Sequence, residues 1–104
     1  MTDVIRTRLD GELTIYTAQQ VRETLAEMLR ACAEATGVQL LVDLSAVSDT
    51  DSAGMQLLLG ARRQAEAAGH TLAFVDCSDS LREAGTLLGL GDWLDGKPAS
   101  AADL

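Results

Sequence analysis

The feature that most constrains this chain is a strand–helix–strand pattern over residues 39–75. Leu40-Leu41-Val42, followed by Asp43 and Leu44, is the kind of apolar run that suits a strand covered on both faces. Residues 45–50 hold two serines, an aspartate and a threonine, and read as a polar loop. Asp51 or Ser52 then supplies an N-cap for a helix running to about Ala68, where Gly69 is a natural stop. Residues 71–75, TLAFV, form the next strand. Two strands joined by one helix form a βαβ unit, which demands parallel strands and a right-handed crossover.

At 100° per residue the helix carries two apolar sectors. Leu57, Leu58, Ala61, Ala65 and Ala68 share one arc, expected to face the core. Ser52, Met55, Gln56, Leu59 and Arg63 share a second stripe. That stripe reads either as packing against a neighbouring helix or as a docking ridge beside a modifiable serine.

Around this unit the rest of the chain falls into order. Residues 4–9, VIRTRL, and 13–16, LTIY, flank Asp10-Gly11, which signals a β-hairpin. Arg6 and Arg8 alternate with apolar neighbours, so one face of that segment is expected to meet water. Thr17-Ala-Gln-Gln20 has the form of a capping box, opening a helix to about Ala35. Val21, Leu25, Met28, Leu29 and Cys32 form its core stripe, and Gly37 follows its end. After residue 75, Asp76 and residues 78–80 read as a polar loop and cap. A last helix spans about 81–88, with Leu90, Trp93 and Leu94 over its end. The expected fold is a single α/β domain over residues 1–94. It has a mixed sheet of about four strands, an N-terminal hairpin, a parallel βαβ unit and three or more helices. Residues 95–104, with Pro98, small residues and charge, read as a flexible tail.

Composition narrows the function. A net charge of −8 and a pI near 4.3 argue against nucleic acid or an anionic membrane surface as a ligand. No run reaches the ~18 apolar residues of a membrane span, and no signal-peptide pattern opens the chain. Cys32 and Cys77 form no CxxC or Cys/His cluster, and both fit buried reduced thiols in a cytoplasmic protein.

Enzyme chemistry finds little support. His70, the one histidine, stands at the far end of the helix that starts at Ser52. A 16-residue helix is roughly 24 Å long, so the two cannot pair within one chain. A phospho-accepting Asp43 would need an acidic pair after the first strand and a positioned lysine; the only lysine is Lys97, in the tail. Asp43, Asp49 and Asp51 lack calcium-loop spacing, and no phosphate-binding glycine motif is present. No cofactor is expected, and the residues add no support for nucleotide binding.

Asp43-Leu-Ser45 and Asp51-Ser52-Ala53-Gly54 together resemble the signature of the STAS domain. That family is named for sulphate transporters and anti-sigma-factor antagonists. In it a strand ends in Asp-x-Ser, and Asp-Ser/Thr-x-Gly then opens a leucine-rich helix. The resemblance runs from Val4 to Leu94, and the family's phosphorylated residue falls on Ser52. It implies partner switching. The unmodified protein binds a serine kinase that doubles as an anti-sigma factor. Phosphorylation of Ser52 releases it, and a serine phosphatase resets it. Asp49, Asp51, Ser52, Gly54, Met55, Gln56 and Leu59 would form the partner surface, and the protein would act as substrate and binder rather than enzyme. Two other roles stay open. The run DSAGMQLLLGARRQAEAAG also resembles STAS proteins associated with chemotaxis kinases, and some STAS proteins are accessory subunits of lipid-transport ATPases. Nothing demands a dimer, so a monomer is expected.

Overall fold

The computed structural model describes residues 3–94. Its elements follow the order β1 (Val4–Leu13), α1 (Ala18–Ala31), β2 (Gln39–Thr50), α2 (Ser52–Ala67), β3 (Thr71–Val75), α3 (Asp79–Leu87) and α4 (Gly91–Leu94). The tail expected over residues 95–104 lies outside the described residues, as does the side chain of Trp93.

Among the described residues the sheet has three strands in the order β1-β2-β3, and both pairings are parallel. The βαβ unit is therefore as expected, but the sheet is not mixed and the N-terminal hairpin is absent. Residues 4–13 form one continuous strand, with Asp10 and Gly11 still paired to Ala46 and Val47. Gly11 takes a φ of +79° between two register shifts, so it serves an irregular strand rather than a turn. The chain does not fold back because β2 continues alongside it as far as Thr50.

That continuation is a second correction, since residues 45–50 are strand and not loop. Arg8 and Asp10 pair with Asp43 and Ala46, and Gly11 and Glu12 pair with Val47 and Asp49. At each step β2 carries one extra residue. The bulges shift the buried positions from Val42 and Leu44 to Val47, breaking the two-residue alternation that marks a strand in sequence.

A sheet ordered 1-2-3 with right-handed crossovers puts both connecting helices on one face. Accordingly α1 and α2 pack against each other, and Val21, Leu25 and Met28 join Met55, Leu58, Ala61 and Ala65 in one core. Beneath them lie Leu9, Leu40, Val42, Leu44, Leu72 and Phe74. Leu57 is only partly buried and Ala68 is exposed, so the core arc of α2 is rotated toward Met55 relative to the wheel reading. On the other face of the sheet Arg6 bonds Asp43 at 3.3 Å and Asp76 at 3.4 Å. The Ser45 N–H, 2.9 Å from Asp43, holds that carboxyl below its ordinary range, with Arg6 adding to the effect.

β2 outruns β3, and α3 packs against β2, with the Ser78 N–H donating to the Leu44 carbonyl. Ser78 also caps α3 through Leu81 N–H, and Leu81 is fully buried. Leu94 is buried and Leu90 packs against the same core. α1 differs from expectation at both ends. It stops at Ala31, and Thr17 forms no side-chain cap, since its hydroxyl oxygen accepts the Thr14 N–H at 3.1 Å while its O–H donates to the Glu12 carbonyl at 2.8 Å. Leu58 has no exposed surface at the centre of α2. Leu58→Ala should lower unfolding stability by about 2–5 kcal/mol in urea denaturation, without changing the fold.

Candidate functional site

The site forms where β1 and β2 end and α2 begins, at the C-terminal rim where parallel α/β sheets commonly place their sites. Leu13 and Thr50 are the last paired residues, and Asp51 alone separates β2 from α2. Such a short connection fixes the start of the helix tightly against the strand ends.

Asp51, with extended backbone, is the N-cap. One carboxylate oxygen accepts the Gly54 N–H at 2.9 Å. The other accepts the Ile15 N–H at 3.0 Å, from the connection between β1 and α1. The Asp51 N–H in turn donates to the Leu13 carbonyl. One side chain thus fastens the first turn of α2 to the neighbouring loop. These two N–H groups, Gly54 first and Ile15 second, hold the carboxyl below its ordinary value of 3.8.

Gly54 is required by close approach. A Cβ there would overlap the carbonyl oxygen of Leu13, a backbone atom that cannot swing aside. Ser52 occupies the first helical position and is exposed. The free N–H groups of a helix start favour negative charge, so a phosphate on Ser52 would be tolerated by the fold. Asp49 is exposed and sits opposite Glu12 in the register.

The expected docking ridge is altered. Met55 is 1% exposed and belongs to the core, because α2 turns that side toward the sheet. Leu59 is partly buried against the core, while Gln56 and Arg63 are exposed. Met55 therefore supports the site from beneath and is not on its surface. His70 is buried at the opposite end of the sheet, where its Nδ1 accepts the Val38 N–H at 3.1 Å.

Sequence reasoning missed the connection 14–17 as part of this site, having taken Ile15 and Tyr16 as strand residues. Ile15 is 66% and Tyr16 91% exposed. Local spacing carried no signal that Asp51, 36 residues away, would reach Ile15.

Comparison with known proteins agrees with this architecture. A family model described as "Mlab, STAS domain" matches residues 2–95. The chain belongs to the STAS domain family. It is 31% identical over 87 residues to an anti-sigma F factor antagonist of Lysinibacillus sphaericus, covering 84% of this chain and 72% of that one. The structure of the anti-sigma factor antagonist SpoIIAA in its unphosphorylated form superposes with a TM-score of 0.63 at 29% identity, covering 89% of this chain and 78% of that one. A sulfate transporter family protein from Wolinella succinogenes shares the fold, with a TM-score of 0.68 at 22% identity over 88% of this chain and 70% of that one. No helix among the described residues is long and apolar enough to cross a membrane.

Two outcomes follow from the geometry. Gly54→Ala should cost about 3 kcal/mol, the upper part of the range for overpacking, because the clash is with backbone; thermal unfolding measures it. For Asp51, a lowered folded pKa means that its contribution is complete above the unfolded value. It is lost as pH falls through the folded one. The melting-temperature gap between wild type and Asp51→Ala should therefore be constant near neutrality and close below pH 3.8, while the Asp51 carboxyl resonance titrates below that value.

Proposed function

We propose that this STAS domain is a partner-switching regulator of the anti-sigma-factor antagonist type, with Ser52 as the switch. The reading rests chiefly on one observation: Ser52 is an exposed hydroxyl at the first position of a helix whose start is clamped by Asp51 and Gly54. The similarity to named antagonists supports it.

In this reading the unmodified protein binds, in the cytoplasm, a serine kinase that doubles as an anti-sigma factor. The kinase phosphorylates Ser52 with its own ATP and base, and a phosphatase removes the group. Phosphorylation adds about −1.5 to −2 charge. The helix start accommodates that charge, but a partner surface pressed against Ser52 would bury it beside Asp49 and Asp51. Binding is lost while the fold is kept, so one hydroxyl separates two states without refolding. Gln56, and Leu59 where it is exposed, would adjoin Ser52 in the contact.

The test is a pull-down from native cytosol with wild type, Ser52→Ala and Ser52→Asp, together with phosphopeptide mass spectrometry of the wild type. A kinase held by wild type and Ala, at least tenfold depleted with Asp, and phosphate on Ser52 are the expected results. Equal retention of a transport ATPase by all three forms, with Ser52 unmodified, would instead make the domain a fixed accessory subunit.

A further inference from the structure

The connection between β1 and α1 holds two adjacent large apolar side chains in water. Ile15 is 66% and Tyr16 91% exposed, so neither contributes much to the core. Single exposed apolar residues are ordinary, but this pair is held in a fixed shape. The Ile15 N–H donates to Asp51 and the Tyr16 N–H to the Thr14 hydroxyl at 3.3 Å. The Thr17 hydroxyl donates to the Glu12 carbonyl and accepts the Thr14 N–H at 3.1 Å. Every residue of the connection is thus tied by its backbone or side chain, and the two apolar groups are what it presents outward. The backbone beneath Tyr16 is fixed, and a tyrosine side chain has only two χ angles to order, so its capture costs little conformational entropy.

The same Asp51 carboxylate that holds Ile15 also caps the helix that starts at Ser52. The apolar pair and the Ser52 hydroxyl therefore belong to one rigid surface. Acidic residues cluster here: Glu12 accepts the Thr14 hydroxyl at 3.3 Å, Asp51 accepts the Ile15 N–H, and Asp49 pairs with Glu12 in the register at the ends of β1 and β2. An anionic membrane is repelled by such a rim, whereas a protein pocket edged with arginine or lysine matches it.

We infer that Ile15 and Tyr16 are the apolar anchor by which the domain docks into a hydrophobic pocket, rimmed by basic residues, on its protein partner. This rests on the reading that Ser52 controls partner binding. The rigid link gives that control its lever. Because the connection is fastened to the start of α2, it cannot shift aside when Ser52 gains a phosphate, and the added bulk lifts Tyr16 out of its pocket.

The test has two parts. Tyr16→p-benzoylphenylalanine, expressed in the native cells and irradiated, should give an adduct with one protein, and Ser52→Asp in the same chain should abolish it. The protein so identified is then purified and titrated by calorimetry against wild type, Ile15→Ser, Tyr16→Ala and Ser52→Asp. Tyr16→Ala should weaken binding about tenfold to a hundredfold, as loss of a central aromatic anchor does, with an unchanged melting temperature. Binding by both Ile15→Ser and Tyr16→Ala within twofold of wild type overturns the anchor, and so does the lack of any adduct from position 16. Sedimentation of wild type, but not Tyr16→Ala, with phosphatidylglycerol vesicles would replace the protein pocket by a membrane. Loss of binding by Tyr16→Ala with full binding by Ser52→Asp would leave the anchor standing and overturn the switch.

Discussion

The carboxylate of Asp51 is the contact on which the site depends. It has two oxygens and uses both on backbone N–H groups from different parts of the chain, Gly54 at 2.9 Å and Ile15 at 3.0 Å. The first bond satisfies an N–H that a helix start otherwise leaves without a partner. The second fixes a loop that arrives from a neighbouring strand. A charged acceptor makes each bond stronger than its neutral counterpart, and that asymmetry depresses the pKa of the acid. Asparagine in its place would offer a single carbonyl oxygen and could not hold both elements in this way.

The clasp can exist because of the sheet. Three parallel strands in sequential order put α1 and α2 on the same face and bring the ends of β1 and β2 side by side. Leu13 and Thr50 then end in register, the Leu13 carbonyl receives the Asp51 N–H, and Gly54 rests against the same carbonyl. A side chain at position 54 would push the helix away and break the geometry at Ser52. The core beneath, with Met55 and Leu58 essentially unexposed, leaves α2 no room to rotate. Burial on one side of α2 thereby sets which of its residues a partner could meet on the other.

The parts of the site set by neighbours in sequence were legible in advance. Asp51, Ser52 and Gly54 lie within one helical turn, and their roles follow from capping rules that act over three or four residues. The βαβ unit was legible because apolar runs of strand and helix length are separated by the polar segment 45–50 and by Gly69. Met55 was misplaced because two apolar sectors on one helix differ little in hydrophobicity, and the wheel does not say which meets the sheet. Residues 45–50 looked like loop because two bulges interrupt the alternation while polar side chains take the exposed positions. Ile15 and Tyr16 looked like strand because β-branched and aromatic residues favour pairing wherever a partner strand exists, and here none does among the described residues.

The sequence by itself determined that this is one acidic α/β domain with a hydroxyl at a helix start, because periodicity, capping and charge are local or additive properties. Tertiary structure alone decided that β1 runs straight through Asp10-Gly11 and that Met55 belongs to the core. It also decided that the connection carrying Ile15 and Tyr16 is fastened to Asp51, the residue before Ser52. Each of these depends on a contact between segments far apart in the chain, whose strength is set by packing and register rather than by any residue's own preference.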